Sequence, residues 1–95
     1  MLWGDHGFHL GEHGQWCKHS NFELDARVPF MIHVPWMPGA AKVDALVELL
    51  DVYPTLLDLC GIEIPGELQG ESIVSILENP DSTGPTESVS QYNRS

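Results

Sequence analysis

Apolar residues fall in separate bunches along the chain, and the spacing inside each bunch changes with position. Val28-Pro29-Phe30-Met31-Ile32-His33-Val34 is a short, nearly continuous apolar run closed by Pro35. Its length and β-branched content predict a buried strand, with Pro29 near the start, where a missing N–H does least harm. Trp36 to Lys42 contains Pro38 and Gly39 and predicts a turn or loop. From Val43 to Leu50 the apolar positions Val43, Ala45, Leu46, Val47, Leu49 and Leu50 fit neither a strand nor a helix period, so both stay open. Asp51-Val52-Tyr53-Pro54-Thr55 predicts a helix start, with Asp51 as cap and Pro54 tolerated in the first turn. Leu56, Leu57, Leu59 and Cys60 supply its apolar face, and Gly61 sits where a left-handed terminating residue belongs. Ile62 to Gly70 predicts a connecting loop, and Ser72 to Glu78 a second short helix with Ile73, Ile76 and Leu77 at helical spacing, ended by Asn79-Pro80. From Asp81 onward only Val89 and Tyr92 interrupt a polar stretch, which predicts a folded part over 1–80 and a disordered tail or linker over 81–95.

The first third has a different character. All five histidines, His6, His9, His13, His19 and His33, lie there, together with Gly4, Gly7, Gly11 and Gly14. Each glycine costs a helix about 1 kcal/mol relative to alanine, so the stretch predicts a shaped loop with at most one helical turn. Loops on a rigid scaffold are where chemistry tends to sit. Met1-Leu2-Trp3-Gly4-Asp5 reads as the end of a strand that began earlier. It has no basic region followed by an apolar stretch, so it is no signal peptide, and Met1 is expected to be an internal methionine or a gene-model start. Strand followed by two helices predicts an α/β sandwich whose remaining strands come from elsewhere.

Composition narrows the function. Ninety-five residues make at most one small domain, which buries only about two-thirds of its unfolded surface. A chain 42% hydrophobic and 19% charged is expected to form a globular core. No run of about 18 apolar residues predicts a membrane span. The net charge of −10 leaves Lys18, Arg27, Lys42 and Arg94 dispersed among fourteen acids, which argues against nucleic acid as a partner. Cys17 and Cys60 form no C-x-x-C unit. A disulfide between them is conceivable in an exported protein; a lone buried Cys60 beside Leu59 is the plainer expectation.

The candidate chemistry starts at Asp5-His6, a carboxylate and an imidazole at the end of the expected strand, flanked by Gly4 and Gly7, which let the backbone turn and approach a ligand. The plainer alternative is a turn-capping carboxylate beside a surface histidine. His6, His9 and His13 also raise zinc, and His9 and His13 are four apart. The stretch is His-Leu-Gly-Glu-His, however, with Gly11 inside it, and the H-E-x-x-H pattern is absent, so solvent-exposed histidines are favoured.

The run from Gly4 through Asp5, His6, Gly7, Leu10-Gly11-Glu12-His13-Gly14, Trp16, Lys18 and Ser20-Asn21-Phe22-Glu23 resembles the sulfatase family, in particular its iduronate-2-sulfatase-like members. Arg27-Val28-Pro29-Phe30, Asp51-Val52-Tyr53-Pro54-Thr55-Leu56-Leu57-Asp58-Leu59-Cys60-Gly61-Ile62, Pro65 and Leu68-Gln69-Gly70 continue the likeness to about residue 80. The resemblance implies the C-terminal portion of an α/β catalytic domain, a partial alkaline-phosphatase-like sandwich, that hydrolyses sulfate esters of a small molecule or glycan. It implies a Ca2+ ion beside Asp5 and His6, although calcium prefers oxygen and suits Asp5 better than His6. Lys18 matches the lysine that contacts the sulfate group. His13 and His9 are candidates to donate a proton to the leaving alcohol or to contact the sugar, against a structural role. Asp51 is left as a helix cap.

Two departures bound this expectation. The family nucleophile is a formylglycine made within Cys-x-Pro-x-Arg or its Ser equivalent, and neither Cys17 nor Cys60 lies in that motif. The paired N-terminal aspartates that complete the metal site are missing as well. The 95 residues alone are therefore expected to be inactive, with the missing N-terminal part of the same domain as partner. By resemblance the compartment is periplasmic, secreted or lysosomal. A phosphonate or phosphodiester hydrolase of the same superfamily, and a non-catalytic calcium-binding module, are the alternatives; the spacing from Leu10 to Lys18 favours the sulfatase.

Overall fold

The computed structural model describes residues 1–37, 39 and 41–93. They divide into two units, Met1–Pro35 with the chain from Ser90, and Trp36–Val89. The described elements are α/β in character: two sheets of two strands and three short helices.

In the first unit β1 (Leu2–Trp3) pairs antiparallel with β4 (Phe30–Met31), Leu2 opposite Met31 and Trp3 opposite Phe30. Aromatic and long apolar side chains suit such a pleated pair. Pro29 prolongs the ladder through its carbonyl, which accepts from Gly4 N at 3.0 Å. The strand expected over 28–34 is thus found in place but shortened to Phe30–Met31, since an antiparallel ladder lasts only as long as its partner, and β1 begins at Leu2 opposite Met31 and ends at Trp3 opposite Phe30. Between them β2 (His9–Leu10) and β3 (Trp16–Cys17) form a second antiparallel pair, closed by a 3-10 turn over Glu12–Gly14. The helical turn is there; the small hairpin around it was not anticipated. Left-handed backbone at Gly11 (φ 117°) and Gly14 (φ 66°) makes the reversal, and Gly11 N donates to Gln15 O at 3.0 Å. A single-turn helix, α1 (Glu23–Ala26), follows. Gly7 N donates to Asp25 O at 2.8 Å, and a Cβ on Gly7 would collide with the Leu24 carbonyl.

In the second unit a 3-10 turn over Leu49–Asp51 runs directly into α2 (Val52–Leu59), which settles the ambiguous stretch as irregular chain ending in a helical turn. Glu48 and Asp51 cap that turn reciprocally. The Asp51 carboxylate accepts from Glu48 N and from Glu71 N, both at 2.9 Å, so it is structural, acting one turn earlier than expected. Gly61 is left-handed at φ 66°, and Ile62 N donates to Leu57 O at 2.9 Å, terminating α2 as predicted. The second helix is found as α3 (Val74–Glu78). Burial on α2 differs from expectation: Pro54 and Thr55 are buried, whereas Leu56 and Cys60 are exposed. Thr55 explains this, because its hydroxyl donates to Asp51 O at 2.5 Å and accepts from Ile73 N at 3.1 Å, which fixes that side of α2 against the start of α3. Cys60 is consequently not the buried cysteine expected; it and Cys17 are both exposed free thiols. Residues 81–89 carry no helix or strand, but Leu46 N donates to Pro85 O at 3.1 Å and Val89 N to Glu48 Oε1 at 2.6 Å.

Among the described residues the buried apolar side chains are Val34, Pro54, Ile73 and Ile76, while Leu2, Leu10, Trp16, Met31 and Trp36 are each more than half exposed. No described helix is long and apolar enough to cross a membrane. Pro38, Ala40 and residues 94–95, which include parts of the expected loop and tail, lie outside the described residues.

Candidate functional site

Asp5 and His6 follow β1 at the point where the Gly4 and Gly7 amides are tied to Pro29 and Asp25. The Asp5 Oδ1 atom accepts the His6 backbone N–H at 3.0 Å. His6 Nδ1 lies 2.8 Å from Gly7 O, and because a carbonyl can only accept, Nδ1 carries the proton in that contact. The lone pair of a neutral ring is then on Nε2, which stands 3.4 Å from Asp5 Oδ2. Ligand atoms in adjacent positions around a calcium ion at 2.3–2.6 Å lie about 3.3–3.7 Å apart, so this pair has the spacing of two neighbouring donors. The Asp5 side chain is 84% exposed and reachable from solvent. No third histidine, cysteine or carboxylate joins them among the described residues.

Lys18 is exposed and follows Cys17, a non-glycine residue held left-handed at φ 71°. Two residues later Ser20 anchors the chain: its hydroxyl donates to Asp25 Oδ2. His13 is exposed, left-handed at φ 55°, and stacked on Phe22 with ring centroids 4.3 Å apart. Among the described residues no hydrogen bond or ion pair links Lys18 or His13 to Asp5 or His6. The unit therefore brings together one pair of the candidate residues and holds the other two on the following hairpin and turn.

His9 has a different fate. It is fully buried, with Nδ1 3.3 Å from Glu12 O and Nε2 3.2 Å from both Ser20 Oγ and Asp25 Oδ2. Both ring nitrogens are thus engaged internally, which leaves none for a zinc ion or a leaving group. Asp25 is 5% exposed, and its Oδ1 is buried without a partner among the described residues. Asp25 was not singled out from the sequence, where its one signal is an acid flanked by Leu24 and Ala26, and Ser20 stood only as part of the run that carries the resemblance, with no role given to it. Glu12 belongs to the same turn. The Leu10 backbone N–H, 2.7 Å from Oε2, holds the Glu12 carboxyl below its usual range, aided by its own N–H and by His9 and His13.

A cleft of about 580 Å3 in the second unit is lined by Glu48, Asp51, Glu71 and Glu87 with no lysine, arginine or histidine, which suits an anionic substrate poorly.

Comparison with known proteins adds a separate line of observation. The family model described as N-sulphoglucosamine sulphohydrolase, C-terminal, matches residues 11–92, a span that includes His13 and Lys18. A sulfatase of Formosa agariphila is 34% identical over 94 residues, covering 99% of this chain and 18% of that protein. The iduronate 2-sulfatase of Mus musculus is 36% identical over 86 residues, covering 64% of this chain and 16% of that protein. An N-acetylglucosamine-6-O-sulfatase of Bacteroides thetaiotaomicron is 38% identical over 80 residues, covering 83% and 14%. The chain spans less than a fifth of the length of these relatives.

Proposed function

The chain belongs to the sulfatase family, a family of sulfuric ester hydrolases, and from that premise we propose that it is the C-terminal portion of a catalytic domain and supplies half of a sulfate-ester-cleaving site. In this reading the fold continues into an alkaline-phosphatase-like α/β domain, and the formylglycine nucleophile comes from residues outside these 95. The observation that carries the reading is the Asp5 Oδ2–His6 Nε2 spacing of 3.4 Å, with the ring oriented by the Gly7 carbonyl.

Each residue has a distinct task. Asp5 and His6 would hold a divalent cation, with calcium the ion best suited to the carboxylate. Bound there, the cation supplies positive charge against the sulfuryl oxygens. Lys18 adds an ammonium that acts on charge growing as the ester bond breaks, so it lowers the barrier rather than merely binding the ground state. His13, exposed and steadied by stacking on Phe22, is the candidate to protonate the departing alcohol. The substrate is accordingly a sulfated small molecule or glycan.

The test uses the intact enzyme of which these residues form part. Lys18→Ala is expected to lower kcat/KM for a sulfate ester about 100- to 1,000-fold, as loss of one charge-stabilising donor does elsewhere. Asp5→Ala should also abolish the dependence of activity on added calcium. Full turnover in both variants, or faster cleavage of the matching phosphodiester than of the sulfate ester, would remove the assignment.

A further inference from the structure

A hydrogen-bond hub lies behind the exposed candidates. Asp25, on α1, touches three separate parts of the first unit. Its backbone carbonyl accepts from Gly7 N at 2.8 Å, directly after Asp5 and His6. Its Oδ2 accepts from the Ser20 hydroxyl, two residues beyond Lys18. The same oxygen lies 3.2 Å from His9 Nε2, and His9 is the β2 residue opposite Cys17, the neighbour of Lys18 on β3. The His9 ring also ties back to Glu12 O, inside the turn that joins the two strands.

These contacts are buried, unlike the groups they support. The side chains of His9 and Asp25 are 0% and 3% exposed, against 84% for Asp5. A carboxylate removed from water without full hydrogen bonding is costly, and Asp25 Oδ1 is buried without a partner among the described residues. An apolar side chain on α1 would avoid that cost. It would also lose the fixed points on both sides of Lys18.

We propose that Asp25 is a positioning residue that locates Lys18 through its carboxylate, by way of Ser20 and His9, and separately locates the Asp5–His6 segment through its backbone carbonyl. The inference rests on the reading of Lys18 as the sulfate-contacting cation. It goes beyond that reading by dividing the hub into two independent arms. The carboxylate arm can be removed by substitution. The carbonyl arm survives every substitution at position 25 that leaves α1 folded.

The division gives an asymmetric test in the intact enzyme. Asp25→Asn and Asp25→Ala are expected to lower kcat/KM for a sulfate ester about 10- to 100-fold, the usual cost of removing a supporting partner behind a functional group. Calcium affinity, measured by titration, should fall by less than the roughly tenfold that loss of a ligand's own supporting partner brings, because Gly7 keeps its acceptor. Ser20→Ala should reproduce part of the catalytic loss with the same spared calcium affinity. It covers the case in which the position-25 variants fail to fold. Parallel loss of calcium affinity and turnover would mean that Asp25 serves general stability only, and unchanged turnover would mean that it positions nothing. Lys18→Ala separates the two readings. If that variant is fully active, the assignment of Lys18 falls and the positioning role with it. If it is disabled while Asp25→Ala and Ser20→Ala are not, the positioning role alone falls.

Discussion

Glu12 shows how much one residue does in a turn this short. Its carboxylate takes the Leu10 N–H at 2.7 Å, its backbone carbonyl takes His9 Nδ1 at 3.3 Å, and it opens the 3-10 turn. The Leu10 contact is the main reason its carboxyl lies below the ordinary value of 4.5. A folded value below the unfolded one means that the contribution of this contact is complete above pH 4.5 and fades as the pH falls through the folded value. The Leu10 amide resonance should therefore titrate with a midpoint below 4.5, and the titration should vanish in Glu12→Gln. A midpoint at or above 4.5 in the parent would contradict the hydrogen bond as the cause.

Among the elements, α2 and the start of α3 are joined by a buried hydroxyl. Thr55 Oγ1 receives the Ile73 N–H and donates to Asp51 O, in a position with no access to water. Thr55→Val keeps the shape and orphans the Ile73 amide, which should cost about 1–3 kcal/mol by urea denaturation of the intact enzyme, whereas Thr55→Ser should lose less than half of that. Equal losses in the two variants would point to packing instead. The start and end of α2 were legible from the sequence because Pro54 and Gly61 are local signals, needing no distant partner. The hairpin β2–β3 and the single turn of α1 were not, since two to four residues are too few to display a period. Asp5 and His6 could be picked out as neighbours in sequence, but the meeting of His9 with Asp25 is made by folding across sixteen residues. No spacing rule covers such a contact.

At the scale of the whole molecule, the chain has more apolar surface than it can hide. Val34, Pro54, Ile73 and Ile76 are its buried apolar side chains among the described residues, while Leu2 and Met31, paired across the β1–β4 ladder, are 62% and 56% exposed. A two-stranded ladder also leaves unpaired backbone groups along its outer edges. The 95 residues expressed alone should bind a hydrophobic dye and self-associate at micromolar concentration, and the intact enzyme should bind far less dye. A dye-silent monomer of the isolated chain would show that its surface needs no further cover. Gly7 has a longer reach than its size suggests. The Leu24 carbonyl occupies the volume where its side chain would begin, so α1 meets the strand end main chain to main chain. Geometry set in this way is indifferent to drift among surrounding side chains: Phe8, Leu10 or Leu24 can be exchanged in an engineered library with little effect on where the segment runs. Position 7 tolerates no such exchange, and a single methyl group there would force the two backbones apart.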